Sequence, residues 1–459
     1  VWVWWVAGHP APVLDVLHAW RRTGQPLLRL RVSHNALPSY HCNVHREYCA
    51  QDAVLLRVLR ASELADIPPD ERQPGQGAWA AAEAVVERFD DVVADFHAAF
   101  SAALRGVDVF ICGHPLVLCR LFERFGRAGV LGLLDVPWTL RVPAAMRPAW
   151  AEWLRAWAEE QHHVIVAPSP FPALQLQASA GLAVAYCRHV GMGLSGARWL
   201  PLVPDTVIVT RSPMHFQNAF LQIVMGLRAR GTPSSHGAPV SPYKFRRWPE
   251  DITCGGKHSV ERSACTVEDV VQHRAAVVWP YDMQHMKFVE LYALGMPLFV
   301  HDMVWRWTTR WAMMQSPEEA GFTAPMRMAP GCDLAFLERF NASQWARPWA
   351  LPAVSCPPFT PNRWQLEPAG ASFWAEFSEF ALRPHLFYFH SVTDLLAQLL
   401  NTGLEELMRR SQLMLQWRDE AFTAAAAFWR ALLVRLVSAD KQPDSLRVFK
   451  GPPGEAKKK

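Results

Sequence analysis

The sequence predicts an α/β protein built from two parallel sheets with helices on both faces, and three features point to it. Apolar runs of strand length alternate with helical stretches from Val1 to Pro170, the pattern of strands joined by crossover helices. At 459 residues the chain exceeds what one hydrophobic core serves. A loose stretch from Tyr186 to Asp205, with three glycines and two prolines, interrupts the alternation, which then resumes.

Taken in order, Val1 to Ala7 is a strand, Gly8-His9-Pro10 a turn, and Val13 to Arg22 a helix. A strand from Leu27 to Val32 leads into a loop rich in His and Cys. A long helix is expected from Trp79 to Leu104, where Ala, Val and Phe recur at helical spacing against Glu and Asp. Strand Val107 to Cys112 runs into Gly113-His114-Pro115 and a helix to Phe125. Strand Val130 to Leu134, helix Ala149 to Glu160, strand Val164 to Ala167 and a helix opened by Ser169-Pro170 complete the first half. Gly-His-Pro thus occurs twice, each time between a strand and a helix. In open α/β sheets ligands bind beyond the carboxyl ends of strands, so His9 and His114 are candidates for acceptor contact or base chemistry. The alternative is that each Pro starts its helix and the His is a cap or solvated.

After the loose stretch, strand Thr206 to Thr210 meets Arg211-Ser212-Pro213 and a helix from Met214 to Arg230, with Ser212 suited to the N-cap. Residues 231–265 are rich in Gly, Pro and Ser and read as a flexible insert, before a short helix from Thr266 to His273. Met303 to Gln315 reads as helical, and Ser316 to Gly370 has no assignable pattern. A strand at His385 to Phe389, a helix capped by Ser391 and a long helix from Leu404 to about Val437 close the chain, followed by a polar tail.

Composition narrows the function. Hydrophobic residues at 51% against 19% charged describe a buried, folded protein. A net charge of +4 is too small for a basic nucleic-acid binder and suits anionic nucleotide ligands. Nine scattered cysteines, an odd number, argue against a disulfide scaffold, and Cys112 in its apolar run reads as a buried thiol. Cys42, His45 and Cys49, with His34 or His41 as a fourth ligand, form a possible zinc cluster; the alternative is a polar loop. No apolar run reaches transmembrane length. The chain begins at Val1, leaving room for an upstream signal or anchor, so the expected compartment is cytoplasmic or, with such an anchor, secretory. The sequon Asn341-Ala342-Ser343 leans to the latter. Nucleophile-elbow, Walker A and dinucleotide-binding fingerprints are absent.

The most informative segment is AAVVWPYDMQHMKFVELYALGMPLFVH, residues 275–301. An uncharged strand meets Pro280, a helix follows from Met283 to Leu294, Gly295 stops it, and Leu298 to Val300 is the next strand. Asp282 and Glu290 are eight residues apart, about 2.2 turns, and so lie roughly 80° apart on a helix. A carboxylate there can accept two hydrogen bonds from a ribose diol, while the helix N-terminus attracts a diphosphate. His285 and Lys287 are expected to add positive charge beside it. The alternative is an ordinary amphipathic helix with Met286, Val289, Ala293 and Met296 turned to the core and its charged residues solvated.

Glu290-Leu291-Tyr292-Ala293-Leu294-Gly295-Met296-Pro297 resembles the E-x-x-A-x-G-x-P signature of GT-B-fold glycosyltransferases, with Asp282 where many of them carry the first acid of an E-x7-E motif. The resemblance spans 275–301 in motif and about 107–437 in order of elements. The chain departs from the family in having Asp at 282 and Trp-Pro-Tyr in place of a Gly-rich loop. The resemblance implies two Rossmann-like domains facing a cleft and a closing C-terminal helix. It sets an acceptor domain at 1–190, a linker at 191–205, a nucleotide-sugar domain at 206–437 and a tail at 438–459. The implied chemistry is metal-independent transfer from a nucleotide-sugar to an acceptor hydroxyl. Arg211, Ser212, His285, Lys287 and Glu290 would hold the donor, Asp282 would sit by the sugar, and His9 or His114 would act as base. A non-catalytic binding or scaffold protein and a nucleotide-sugar epimerase are the alternatives on the same fold.

Overall fold

A computed structural model describes residues 1–22, 30–33, 35–36, 48–61, 89–126, 128–135, 138, 142, 146–160, 162–192, 196–210, 216–229, 243–248, 267–280, 283–306 and 368–438. They build two separate all-parallel sheets with helices between the strands. The first sheet has six strands in the order β2-β1-β3-β4-β5-β6: β1 Trp2–Ala7, β2 Arg31–Ser33, β3 Val109–Gly113, β4 Gly129–Leu133, β5 His163–Ala167 and β6 Ala185–Tyr186. α1 Ala11–Arg21, α2 Ala53–Ala61, α3 Phe89–Leu104, the 3₁₀ helix Leu116–Phe122, α4 Arg147–Glu159 and α5 Pro170–Ala180 connect them. β3, β4 and β5 are buried along their whole length, as strands covered on both faces must be, which is why they read as unbroken apolar runs.

The second sheet has five strands in the order β11-β10-β9-β7-β8: β7 Val203–Thr210, β8 Lys244–Trp248, β9 His273–Val278, β10 Leu298–His301 and β11 Phe387–Phe389. Its helices are α6 Phe216–Ala229, α7 Val267–Val271, α8 Met286–Ala293, α9 Pro368–Ala375 and α10 Val392–Asn401. α11, Leu404–Ser438, closes the chain with 35 residues. Its early turns pack on the second sheet's layer, where Arg418 donates to the Ala293 carbonyl at 2.6 Å. Its later turns pack on the first, where Trp20 Nε1 donates to the Trp429 carbonyl at 2.7 Å. Gly295 permits this closure: its φ of 73° ends α8, and a Cβ there would lie 2.8 Å from Leu415 Cγ and from Ser411 Oγ.

The expected fold class, two parallel-sheet units with a closing helix, is the one observed. Three expectations are corrected. The 231–265 insert contains β8, which pairs in parallel with β7 at the sheet edge. The 3₁₀ helix Leu116–Phe122 stands where an α-helix to Phe125 is expected. Cys112 is no free thiol, because it forms a disulfide with Cys119. Cys49 is also disulfide-bonded, which removes its thiolate from the expected zinc set; Cys42 and His45 lie outside the described residues. Among the described residues no group of three or more His, Cys, Asp or Glu side chains could hold a metal ion. No described helix is long and apolar enough to cross a membrane.

Candidate functional site

Parallel sheets of this kind open a crevice where the chain leaves a strand to one side and returns on the other. In the first sheet that point lies between β1 and β3, because β1 is followed by β2 on one side and by β3 on the other. Both Gly-His-Pro turns stand there. The Gly8 amide donates to the His114 carbonyl at 3.0 Å and to that of Gly113 at 3.3 Å. Only glycine allows this approach, since a Cβ at Gly8 would lie 2.3 Å from the His114 oxygen. The two imidazoles the sequence singles out are thereby brought together, ring centroids 5.9 Å apart.

They do different things. His9 is buried and its Nδ1 accepts the Ala11 amide at 3.2 Å, where α1 begins. His114 keeps 28% of its side chain exposed and places Nδ1 3.0 Å from Oδ2 of Asp135, whose side chain is 1% exposed. In the tautomer that donates Nδ1–H to this carboxylate, Nε2 is the nitrogen that accepts a proton, the arrangement a general base needs. Asp135 follows β4 and was not among the residues the sequence suggested. Its only signal is a lone acid directly after a buried strand that neighbours β3.

In the second sheet the corresponding point lies between β7 and β9. β7 ends at Thr210, a buried residue whose Oγ1 has no partner among the described residues. Arg211 and Ser212 follow directly but lie outside the described residues, as does Asp282 beyond the end of β9. α8 begins at Met286, three residues later than expected, because His285 is extended (φ −133°, ψ 90°). Lys287 and Glu290 are both inside α8, and every residue from Lys287 to Ala293 is buried, so the charged side chains of this helix are not solvated as the ordinary amphipathic reading requires.

His285 does not carry the positive charge expected of it. It is buried with its ring 5.8 Å from that of Phe380, and burial, reinforced by the Lys287 charge, pushes it down to about 3. The imidazole is neutral at physiological pH. Sequence reading also missed a polar group on this edge: Asp302, after β10, pairs with Nδ1 of His390, after β11.

Among the described residues the two edges touch where Gln284 Nε2, in the segment leading to α8, donates to Ser169 Oγ beyond β5 at 2.6 Å. Beside it Phe171 of α5 packs against Trp374 of α9 at 5.4 Å. The chain passing between the sheets is held by Asp15 of α1, whose carboxylate accepts from His189 Nδ1 at 2.6 Å and from the amides of Val190, Gly191 and Met192. Burial opposes both charges of this pair. The mutual attraction and, for Asp15, the backbone donors prevail, holding Asp15 below and His189 above their ordinary values. Arg383 donates to the His189 carbonyl at 2.7 Å and pairs with Glu379. Gly191, at φ 82°, presses this crossing onto α8: a Cβ there would lie 2.8 Å from Ala293 Cβ and 2.9 Å from the Val289 carbonyl.

No protein-family model matches the chain, and no curated protein matches it. Among solved structures it is similar to CalG4, the calicheamicin glycosyltransferase, at 13% identity over 95% of this chain and 98% of that one, with a TM-score of 0.38. A likeness of that size decides neither fold nor chemistry, which rest on the two sheets and their edges.

Proposed function

We propose that the chain transfers a sugar from a nucleotide-sugar to an acceptor hydroxyl, in a site between the two carboxyl edges. The observation that carries this reading is the His114–Asp135 pair at the crevice of the first sheet, on the side where Ser169 meets the segment leading into α8. His114 Nε2 takes the acceptor's proton as its oxygen bonds to the anomeric carbon. The bond from that carbon to the diphosphate oxygen breaks, and the nucleoside diphosphate leaves with the electron pair. A single base-assisted displacement of this kind inverts the anomeric configuration. Arg211, Ser212, Lys287 and the N-terminus of α8 would receive the diphosphate, Glu290 the ribose, and Asp282 would stand by the transferred sugar. This assignment needs no metal. His285, being neutral, serves as a donor contact and not as a charge. The residues sort into an acceptor half at 1–190 and a donor half at 206–437.

The disulfide Cys112–Cys119 and the bridged Cys49 favour an oxidising compartment, and so the secretory alternative for location. A second reading, a binding protein that has lost donor chemistry, is favoured by one observation: His285 is packed under Phe380. Thermal unfolding with UDP-, GDP- and ADP-sugars separates the two. A donor at 100 times its dissociation constant stabilises the protein by about 2.7 kcal/mol, and that shift should vanish in Glu290→Ala. No shift with any nucleotide-sugar would remove the transferase reading.

A further inference from the structure

The turn that carries His114 is closed by a covalent bridge. Cys112, the last residue but one of β3, is joined to Cys119 of the 3₁₀ helix across a separation of seven residues, and both are fully buried. The loop between them holds His114 at a φ of 51°, a region that residues with side chains seldom occupy. Asp135 gives the imidazole one partner, and its other oxygen, Oδ1, is buried with no partner among the described residues. The carboxylate is therefore placed by its backbone just past the end of β4, so its contact with the imidazole depends on how the His114 turn is held against that strand. The loop packs closely against β4 at two glycines, Gly113 within the loop and Gly132 on the strand. A Cβ at Gly132 of β4 would lie 2.9 Å from Leu116 Cδ1 and 3.3 Å from Cys119 Sγ, and one at Gly113 would lie 2.7 Å from the Leu133 carbonyl. The 3₁₀ helix thus lies directly on β4, the strand that delivers Asp135, and the bridge ties it back to β3, the strand that delivers His114.

We propose that the Cys112–Cys119 disulfide is a positioning element for the His114–Asp135 pair, confining the imidazole to the carboxylate. Its catalytic consequence rests on His114 being the base of the proposed transfer; its geometric content does not. The test reads the geometry first. In protein labelled with ¹⁵N-histidine, the Nδ1 proton shared with Asp135 gives a downfield resonance, assigned by its loss in His114→Gln. Removing the bridge, as Cys112→Ala with Cys119→Ala or as the paired serine substitutions, should broaden or abolish that resonance while cooperative unfolding persists. The same variants should lose up to about 100-fold in kcat, the scale of a 1 Å misplacement, with KM for the donor unchanged. Should neither pair fold, the native protein is treated with a phosphine, which leaves as its oxide while the bridge becomes two thiols, and the resonance is followed as mass spectrometry reports the reduction.

A resonance unchanged in position and intensity without the bridge, with only a lower Tm, overturns the inference. So does finding both cysteines as free thiols in the isolated protein. A resonance that depends on the bridge in a protein that transfers no sugar keeps the inference and sinks the transferase reading, so the two failures are distinguishable.

Discussion

The two carboxyl edges arrange their polar groups in opposite ways. On the first, His114 keeps 28% of its side chain in solvent above a carboxylate that keeps 1%. On the second, α8 draws Lys287 and Glu290 inside and leaves His285 neutral. A group that exchanges a proton with an incoming hydroxyl has to be reachable, whereas groups that hold a ligand work best when dry and immobile. Under the proposed transfer, the contrast fits proton transfer at the first edge and ligand retention at the second. The strongest way to break it is His114→Ala, for which kcat should fall by roughly 10²- to 10⁴-fold while nucleotide-dependent stabilisation survives. Asp135→Asn should act in the same direction, because an amide no longer selects the tautomer with a basic Nε2. Steady-state kinetics beside thermal shift measure both, and a His114→Ala protein with full activity would end the division of roles.

The first edge was half legible in the sequence. His9 and His114 stand out because the same tripeptide twice joins an apolar strand to a helix, and sheet order then makes β1 and β3 neighbours. Asp135 was not legible: its pairing with His114 follows from β4 lying next to β3, which no local pattern encodes. The bridge was hidden for a similar reason. Nine scattered cysteines look like free thiols, and Cys119 faces Cys112 only because the intervening turn folds into a 3₁₀ helix. On the second sheet, the segment around α8 could be read from its Pro, Gly and apolar spacing. β8, Lys-Phe-Arg-Arg-Trp, could not, since an edge strand exposes polar side chains and sits among turn-forming residues.

Acid should expose the second edge. A histidine that resists protonation in the folded protein takes up its proton more readily once unfolded, so the stability tied to His285 is intact above about 6.5 and drains away as pH falls towards about 3. The upper bound on that loss is about 5 kcal/mol, and His285→Leu should flatten the dependence of unfolding free energy on pH across this window. The crossing segment has the opposite sign. His189 is held above its ordinary value by Asp15, so its contribution is complete below the ordinary histidine range and is lost as pH rises through the raised value. Denaturant titrations of His285→Leu and His189→Gln across pH separate the two; a His285→Leu protein as acid-sensitive as the parent would show that the imidazole is not buried neutral.

Glycine substitutions sharpen the contrast at smaller effect. Gly191→Ala combines a left-handed φ of 82° with a methyl group 2.8 Å from Ala293, so it should cost about 2 to 4 kcal/mol and loosen α8, weakening nucleotide binding. Gly8→Ala puts its methyl group against the His114 carbonyl instead, and should depress kcat with nucleotide binding kept. Equal effects of the two on binding and turnover would mean that the edges are not separable.

The smallest effect concerns how two helices of the second edge begin. α10 has a side-chain cap: Ser391 Oγ accepts the Asp394 amide at 3.1 Å. The N-cap residue of α8 is His285, whose side chain makes no cap hydrogen bond. A helix start with its own oxygen has met part of its need for an acceptor, whereas one without remains suited to an anion. Ser391→Ala should therefore cost about 1 kcal/mol, read as a lower Tm, and leave nucleotide-dependent stabilisation untouched. Installing a cap on α8 with His285→Ser should do the reverse. The hydroxyl would occupy amides of the first turn, removing a buried imidazole and adding a favourable hydrogen bond, while a nucleotide diphosphate would lose part of its attraction to the helix end. If His285→Ser binds nucleotide as well as the parent does, the N-terminus of α8 is not where the diphosphate rests, and retention at the second edge must be carried by the residues that follow β7.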